Sequence, residues 1–353
     1  MIEYFEQLGD GNVLLLTGLV TGLIFGIFAQ QSSFCLRSAT IEFWNGKAGE
    51  KLAIWLLVFG TAFFLTQLQV FSGSLDTSVI RQLNGSGSLS GAVIGGTVFG
   101  IGMILSRGCA SRLLVLSGTG NLRALTAGLV LTVAAQASLT GALSPLREWL
   151  SSLWLISGNE RNLGTWLPLW GGLALSGTFV LVAVADAFKT GIRPWIFLAS
   201  VMTGLAVALG WYLTNWHHSW SFEVIPVQSV SFTGPSADTL MGLINSPNIE
   251  KTFGTGLVPG VFAGSFLAAF VTGQFRIQSF TADTGTFRYM AGAVMMGFGG
   301  MLAGGCAVGA GVTGGAVLAT TAWVALLSMW ISAGLGDLLF NRTGNKAASG
   351  RTA

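Results

Sequence analysis

Gly100-Ile101-Gly102-Met103-Ile104-Leu105-Ser106-Arg107-Gly108-Cys109 returns 197 residues later as Gly297-Phe298-Gly299-Gly300-Met301-Leu302-Ala303-Gly304-Gly305-Cys306. The shared places hold Gly, Gly, Leu, Gly and Cys, and the match uses two of only three cysteines in the chain. Each copy closes a short, glycine-rich apolar run, and small or polar residues follow before apolar sequence resumes. Glycines three and four apart let helices approach closely in a membrane. Helices that stop inside a membrane are tolerated only where the freed backbone is buried or lines a cavity. Both runs are therefore expected to break inside the bilayer and to bring Cys109 and Cys306 toward each other.

That a bilayer is present follows from composition. Charged residues make up 9% of the chain, hydrophobic residues 52%, and the mean hydropathy is +0.69. A soluble domain carries about 25% charge, so the fold class is an all-α polytopic membrane protein. Apolar runs at 13–34, 52–70, 91–106, 121–142, 167–188, 194–214, 254–273, 289–303 and 314–335 give nine spans. The first follows Glu3, Glu6 and Asp10 without a basic segment, which does not fit a cleavable signal peptide.

Cytoplasmic loops collect Lys and Arg. With the N-terminus outside and the C-terminus inside, 13 of the 17 basic residues fall on the inner side. These are Arg37, Lys47, Lys51, Arg107, Arg112, Arg123, Lys189, Arg193, Arg276, Arg288, Arg342, Lys346 and Arg351. Arg81, Arg147, Arg161 and Lys251 stay outside. The net charge of +3 thus reports topology rather than affinity for nucleic acid. Residues 1–353 read as one integral membrane domain, with repeat 1 at 13–142, a connecting helix at 167–188 and an inverted repeat 2 at 194–335. Such repeats place a solute site at their interface, on interrupted helices.

The thiols point to the solute. Cys35, in Ser33-Phe34-Cys35-Leu36, joins Cys109 and Cys306 in a small-residue setting. A thiol is soft and polarisable, and it hydrogen-bonds without carrying a fixed charge. A divalent sulfur anion needs donors that replace water but do not hold it tightly. Backbone N–H groups at Gly108 and Gly305 and the hydroxyls of Ser32, Ser33, Ser111 and Thr313 meet that need. Arg107 and Arg112 flank Cys109, where they serve as attraction for an anion or as inner-side anchors. Ser231–Asp238 carries turn chemistry and is expected to form an outer lid or vestibule. His217 and His218 lack a third ligand nearby, so no metal and no cofactor is expected. No phosphate-binding loop or hydrolase motif is present, so the chain is not read as an enzyme.

These residues resemble the YeeE/YedE sulfur-transport family over about 17–335. The likeness is carried by Gln30-Gln31-Ser32-Ser33-Phe34-Cys35, by Gly102–Ser111, by Ser231-Phe232-Thr233-Gly234-Pro235 and by Gly297–Gly311. It implies an inner-membrane permease for thiosulfate or a related sulfur anion, relayed along Cys35, Cys109 and Cys306 by S–H···S contacts. It also implies a small TusA-like cytoplasmic sulfur carrier as partner. The chain departs from the family at Gln31 (often Arg), at Ser106-Arg107 (an Ala-Gly pair) and at Ala307 and Ala310 (Thr and Gln). Two alternatives stay open: a membrane sulfurtransferase whose persulfides pass sulfur to a cytoplasmic acceptor, and a transporter of a selenium species. Low-pKa thiolates near cations would favour transfer.

Overall fold

The computed structural model describes residues 9–168, 170–245, 248–280 and 285–342. Glu3, Glu6, Lys346, Arg351 and the Arg342 side chain lie outside the described residues. Helices α1 (Asp10–Ser32), α2 (Leu36–Trp44), α3 (Glu50–Phe71), α4 (Leu89–Leu105), α5 (Ala110–Gly118) and α6 (Leu122–Leu139) form one half. Helices α7 (Ser144–Ser152) and α8 (Gly171–Thr190) connect it to α9 (Pro194–Trp220), α10 (Thr233–Asn245), α11 (Phe253–Val271) and α12 (Thr286–Leu302). A π-helix (Ala307–Gly314) and α13 (Thr320–Asp337) complete the second half. The main strands among the described residues are β1 (Ser86–Ser88) and β2 (Leu155–Ser157), antiparallel with Gly87 opposite Ile156.

Nine helical segments among the described residues are long and apolar enough to cross a bilayer, and each expected span falls on one of them. The chain is thus an all-α, multi-pass membrane protein. Three of these segments, Asp10–Trp44, Leu89–Gly118 and Thr286–Gly314, continue past an internal break. Two breaks are the glycine-rich ones expected from the repeat. The third, between α1 and α2, is one the sequence hides, because Ser33 rather than glycine takes the left-handed conformation at φ 55°. Its short side chain tolerates that turn better than a branched one would.

Glycine sets the helix packing. On α1, Gly18, Gly22 and Gly26 face Gly256, Gly260 and Gly264 of α11 on a four-residue spacing, so the two backbones touch. A Cβ on Gly22 would overlap the Leu257 carbonyl, and one on Gly264 the Leu23 carbonyl. The two halves meet through the same device, with Gly95 against the Ala303 N–H and Gly299 against the Gly95 carbonyl. One contact pattern occurs twice. Gly100 of α4 meets Met329 and Ala333 of α13, and Gly297 of α12 meets Leu131 and Ala135 of α6. Likewise α2 packs on α3 and α13, while α10 packs on α11 and α6.

The connections define two faces. On one, the Trp220 face, Asp10 meets His217, Asn215 meets the Ser74 carbonyl, Arg161 meets the Asn84 carbonyl and Thr320 meets the Glu160 carbonyl. On the other, the Trp44 face, Ser106 meets the Tyr289 carbonyl and Asn121 meets Gln278.

Replacing Gly22 by Val forces the α1–α11 backbones apart and should destabilise the fold by about 1–3 kcal/mol. Gly177→Ala on α8, where a Cβ meets only Phe64 at 3.9 Å, should stabilise it by up to about 1 kcal/mol. Thermal melting in detergent checks both, and equal shifts would contradict the packing described.

Candidate functional site

Each thiol sits at the same place relative to a broken helix. Cys35 is the N-cap of α2, Cys109 the N-cap of α5 and Cys306 the N-cap of the π-helix. All three are buried and free of disulfides. The first N–H groups of a helix have no partner in their own helix, and they favour negative charge. Neither Cys35 nor Cys109 caps its helix with its side chain. Cys306 does, its Sγ accepting the Gly309 N–H at 3.4 Å. A π-helix inside a membrane segment often marks a functional position.

The residues after Cys109 and Cys306 bring their segments together, since α5 packs on the π-helix. The thiol in direct interaction with Cys109, however, is that of Cys35. The sequence paired Cys109 with Cys306 through the repeat. It could not see that the hidden break at Ser33 swings Cys35 onto Cys109. Ser111 Oγ lies 3.3 Å from Cys109 Sγ. Half-buried Arg112 lies near both thiols and donates to Gln30 Oε1 at 3.5 Å, while Gln30 Nε2 donates to Gln274 Oε1 at 3.2 Å. Ser32 and Thr313 instead spend their hydroxyls on backbone carbonyls, Phe28 at 2.8 Å and Val230 at 2.6 Å. Ser33 is half-buried at the turn, and Gly108 is buried beside Leu113. Gly305 must be glycine, because a Cβ there would meet the Ala310 nitrogen at 2.7 Å.

Arg107 is the outlier. It holds the left-handed conformation at φ 55°, where its counterpart Gly304 has φ 80°. Its exposed guanidinium lies 5.8 Å over the Tyr289 ring, close to Arg37 and Arg288 on the Trp44 face. A non-glycine residue kept in that conformation at a helix break points to a role for its side chain.

On the Trp220 face a cavity of about 320 Å³ reaches Gly304, Gly309 and Ala310 next to Cys306, and Arg81 and Arg161 line it. Arg161 is 7% exposed, donates to the Asn84 carbonyl and leaves its Nε without an acceptor. Burial lowers its pKa from the usual arginine value. The sequence assigned both arginines to topology alone. The available signal was their presence on the side with few basic residues, with Arg81 beside the turn-forming Asn84-Gly85-Ser86-Gly87.

Other expectations change. Ser231–Pro235 is no surface lid: Val230, Phe232 and Thr233 are buried, and the Phe232 ring packs 5.3 Å from Phe25. His217 Nε2 lies 2.8 Å from Asp10 Oδ1, and His218 Nδ1 lies 2.8 Å from the Ile225 carbonyl. Among the described residues no three His, Cys, Asp or Glu gather as a metal site.

A family described as sulphur transport matches residues 31–335. The chain is 27% identical over 336 residues to the thiosulfate transporter TsuA of Escherichia coli (strain K12), covering 90% of this chain and 92% of that protein. It is 29% identical over 348 residues to the thiosulfate transporter TsuA of Spirochaeta thermophila, covering 91% and 98%.

Arg107→Gly should relieve the left-handed backbone and raise stability by about 1 kcal/mol, while lowering anion uptake. Melting and uptake measured on the same preparation check this. Unchanged uptake would mean that the side chain is a surface anchor only.

Proposed function

The chain belongs to the sulphur-transport family, and on that premise we propose that it carries thiosulfate, or an anion of the same sulfur chemistry, intact across the bacterial inner membrane. One observation carries the reading: three buried thiols stand at the N-termini of three helices that restart inside the membrane. Taking two charges through hydrocarbon without partners is prohibitive. In this route the cationic cavity at Arg81 and Arg161 collects the anion, and Gly304–Gly305 admits it to Cys306. It then passes to the Cys109–Cys35 pair with Ser111 and leaves past Arg112, Arg107 and Arg37. Thiol S–H groups and helix N–H groups replace its water in turn, and no lysine stands along the route to trap it.

The Trp44 face is the cytoplasmic one in this reading, because it carries most of the Lys and Arg. The twofold recurrence of the glycine contacts supports two inverted repeats, 13–142 and 194–335, around the connecting helix. A small TusA-like carrier is the acceptor on the cytoplasmic side.

Cys35→Ala, Cys109→Ala and Cys306→Ala should each slow thiosulfate uptake into proteoliposomes about tenfold or more, a barrier increase of roughly 1.4 kcal/mol. Melting temperatures should stay near wild type. Serine should restore part of the rate at most, since a hydroxyl is less polarisable than a thiol. Full uptake by any two alanine variants would end the relay account.

A further inference from the structure

The two halves differ where their outer walls should match. In one half, the space between α3 and α13 is filled by aromatic rings packed face-on and edge-on. Trp55 lies 5.2 Å from Phe59 and 5.0 Å from Trp330, and Trp323 lies 5.5 Å from Phe59 and 6.1 Å from Phe63. The Gly100 and Gly297 contacts fix the register of α13 on α6. Met329 answers to Leu131 and Ala333 to Ala135, so Trp323, Leu326 and Trp330 answer to Leu125, Gly128 and Thr132. Bulk present on one side is missing on the other.

The missing bulk leaves a cavity of about 160 Å³ between α5, α6, α10 and α11, walled by Leu114, Leu125, Gly128, Leu240, Val258 and Phe262. A Cβ on Gly128 would meet nothing within 4 Å. Of the four hydroxyls along its wall, those of Ser117, Thr132 and Thr239 are satisfied by their own helices, donating to Leu113, Leu129 and Pro235 at 2.7, 2.7 and 2.6 Å, and the fourth is that of Ser236. A polar guest would find the Ser236 hydroxyl alone among predominantly apolar walls, and such a space favours an apolar guest. At its mouth stand Leu125, Leu129, Leu243 and Phe262, 37%, 44%, 65% and 41% exposed. Leu125 and Leu129 lie on a bilayer-crossing helix, as does Phe262. The groove is thus continuous with the lipid-facing surface. Its inner wall reaches Ala110, the first residue of the half-helix that Cys109 caps.

We propose that this groove is a binding site for one acyl chain of a bilayer phospholipid, which takes the place of the aromatic plug of the other half and buttresses the Cys109 half-helix. The site is independent of the anion route and of the substrate's identity.

The test uses the full-length protein in nanodiscs of phosphatidylethanolamine and phosphatidylglycerol, doped with phosphatidylglycerol carrying a photoreactive diazirine in its acyl chain. After illumination, mass spectrometry should find label on the inner-wall residues Ala110, Leu114 or Leu131, which a lipid lying only on the outside cannot reach. Gly128→Leu, which installs the counterpart of Leu326, should abolish that label while leaving the label on α8 unchanged. Leu125→Trp, the counterpart of Trp323, serves as an independent filler, and melting curves report folding of both. Label confined to exposed residues of the outer surface, or inner-wall label undiminished in either folded variant, would overturn the proposal. The wild-type label map decides the question even if neither variant folds.

Discussion

A helix that stops inside a bilayer must find partners for its loose backbone within the protein, since each unsatisfied group in hydrocarbon costs several kcal/mol. The rest of this structure depends on meeting that demand at three breaks at once. The buried Gln67 amide donates to the Ala316 carbonyl at 2.7 Å, just past the π-helix, and the Leu318 carbonyl accepts the Leu163 N–H at 2.9 Å. At the breaks themselves the Phe34 N–H donates to the Ala29 carbonyl, the Gly108 N–H to Met103 and the Gly305 N–H to Gly300, at 3.3, 3.1 and 2.8 Å. The Thr313 hydroxyl of the π-helix donates to the Val230 carbonyl in the segment that leads into α10. Once the loose carbonyls are satisfied, the N-terminal ends of the restarted helices remain as the groups with donors to offer. Each of them carries a thiol.

Much of this was legible in the sequence, for a physical reason. Low charge and long apolar runs leave a chain one solvent, and basic residues mark its sides, so nine spans could be counted from composition alone. The glycine matches around Cys109 and Cys306 were readable because glycine recurs where two backbones touch, as at Gly100 and Gly297. The break at Ser33 was not, since serine in a left-handed turn leaves no compositional trace. Nor was the pairing of Cys35 with Cys109, which depends on how two broken ends cross in space. Arg161 hid for a different reason. Its meaning lies in burial without an acceptor for Nε, and sequence reports charge but not burial. Ser231–Pro235 carried turn residues that read as surface, yet Phe232 packs in the core against Phe25.

The two halves share a packing scheme but not its side chains. Arg107 holds the conformation that Gly304 holds in the other half. Arg112 follows Cys109, while glycine at 309 follows Cys306 at the same distance. Charge is thus concentrated inside the helix break at one end of the proposed route. At the other end it sits outside the break, in the loops that bear Arg81 and Arg161. The proposed path, with cations at both mouths and thiols, hydroxyls and N–H groups between them, would attract an anion at either end and hold it weakly in the middle, as conduction requires.

The central claim is that the solute crosses whole, with no sulfur left on a cysteine. Thiosulfate labelled differently at its inner and outer sulfur, offered to proteoliposomes containing the purified protein, tests it most directly. The account predicts that both labels arrive inside together in equal amount, as intact thiosulfate. Arrival of the outer sulfur alone, with the inner one left behind as sulfite and a persulfide on Cys35, Cys109 or Cys306, would contradict it.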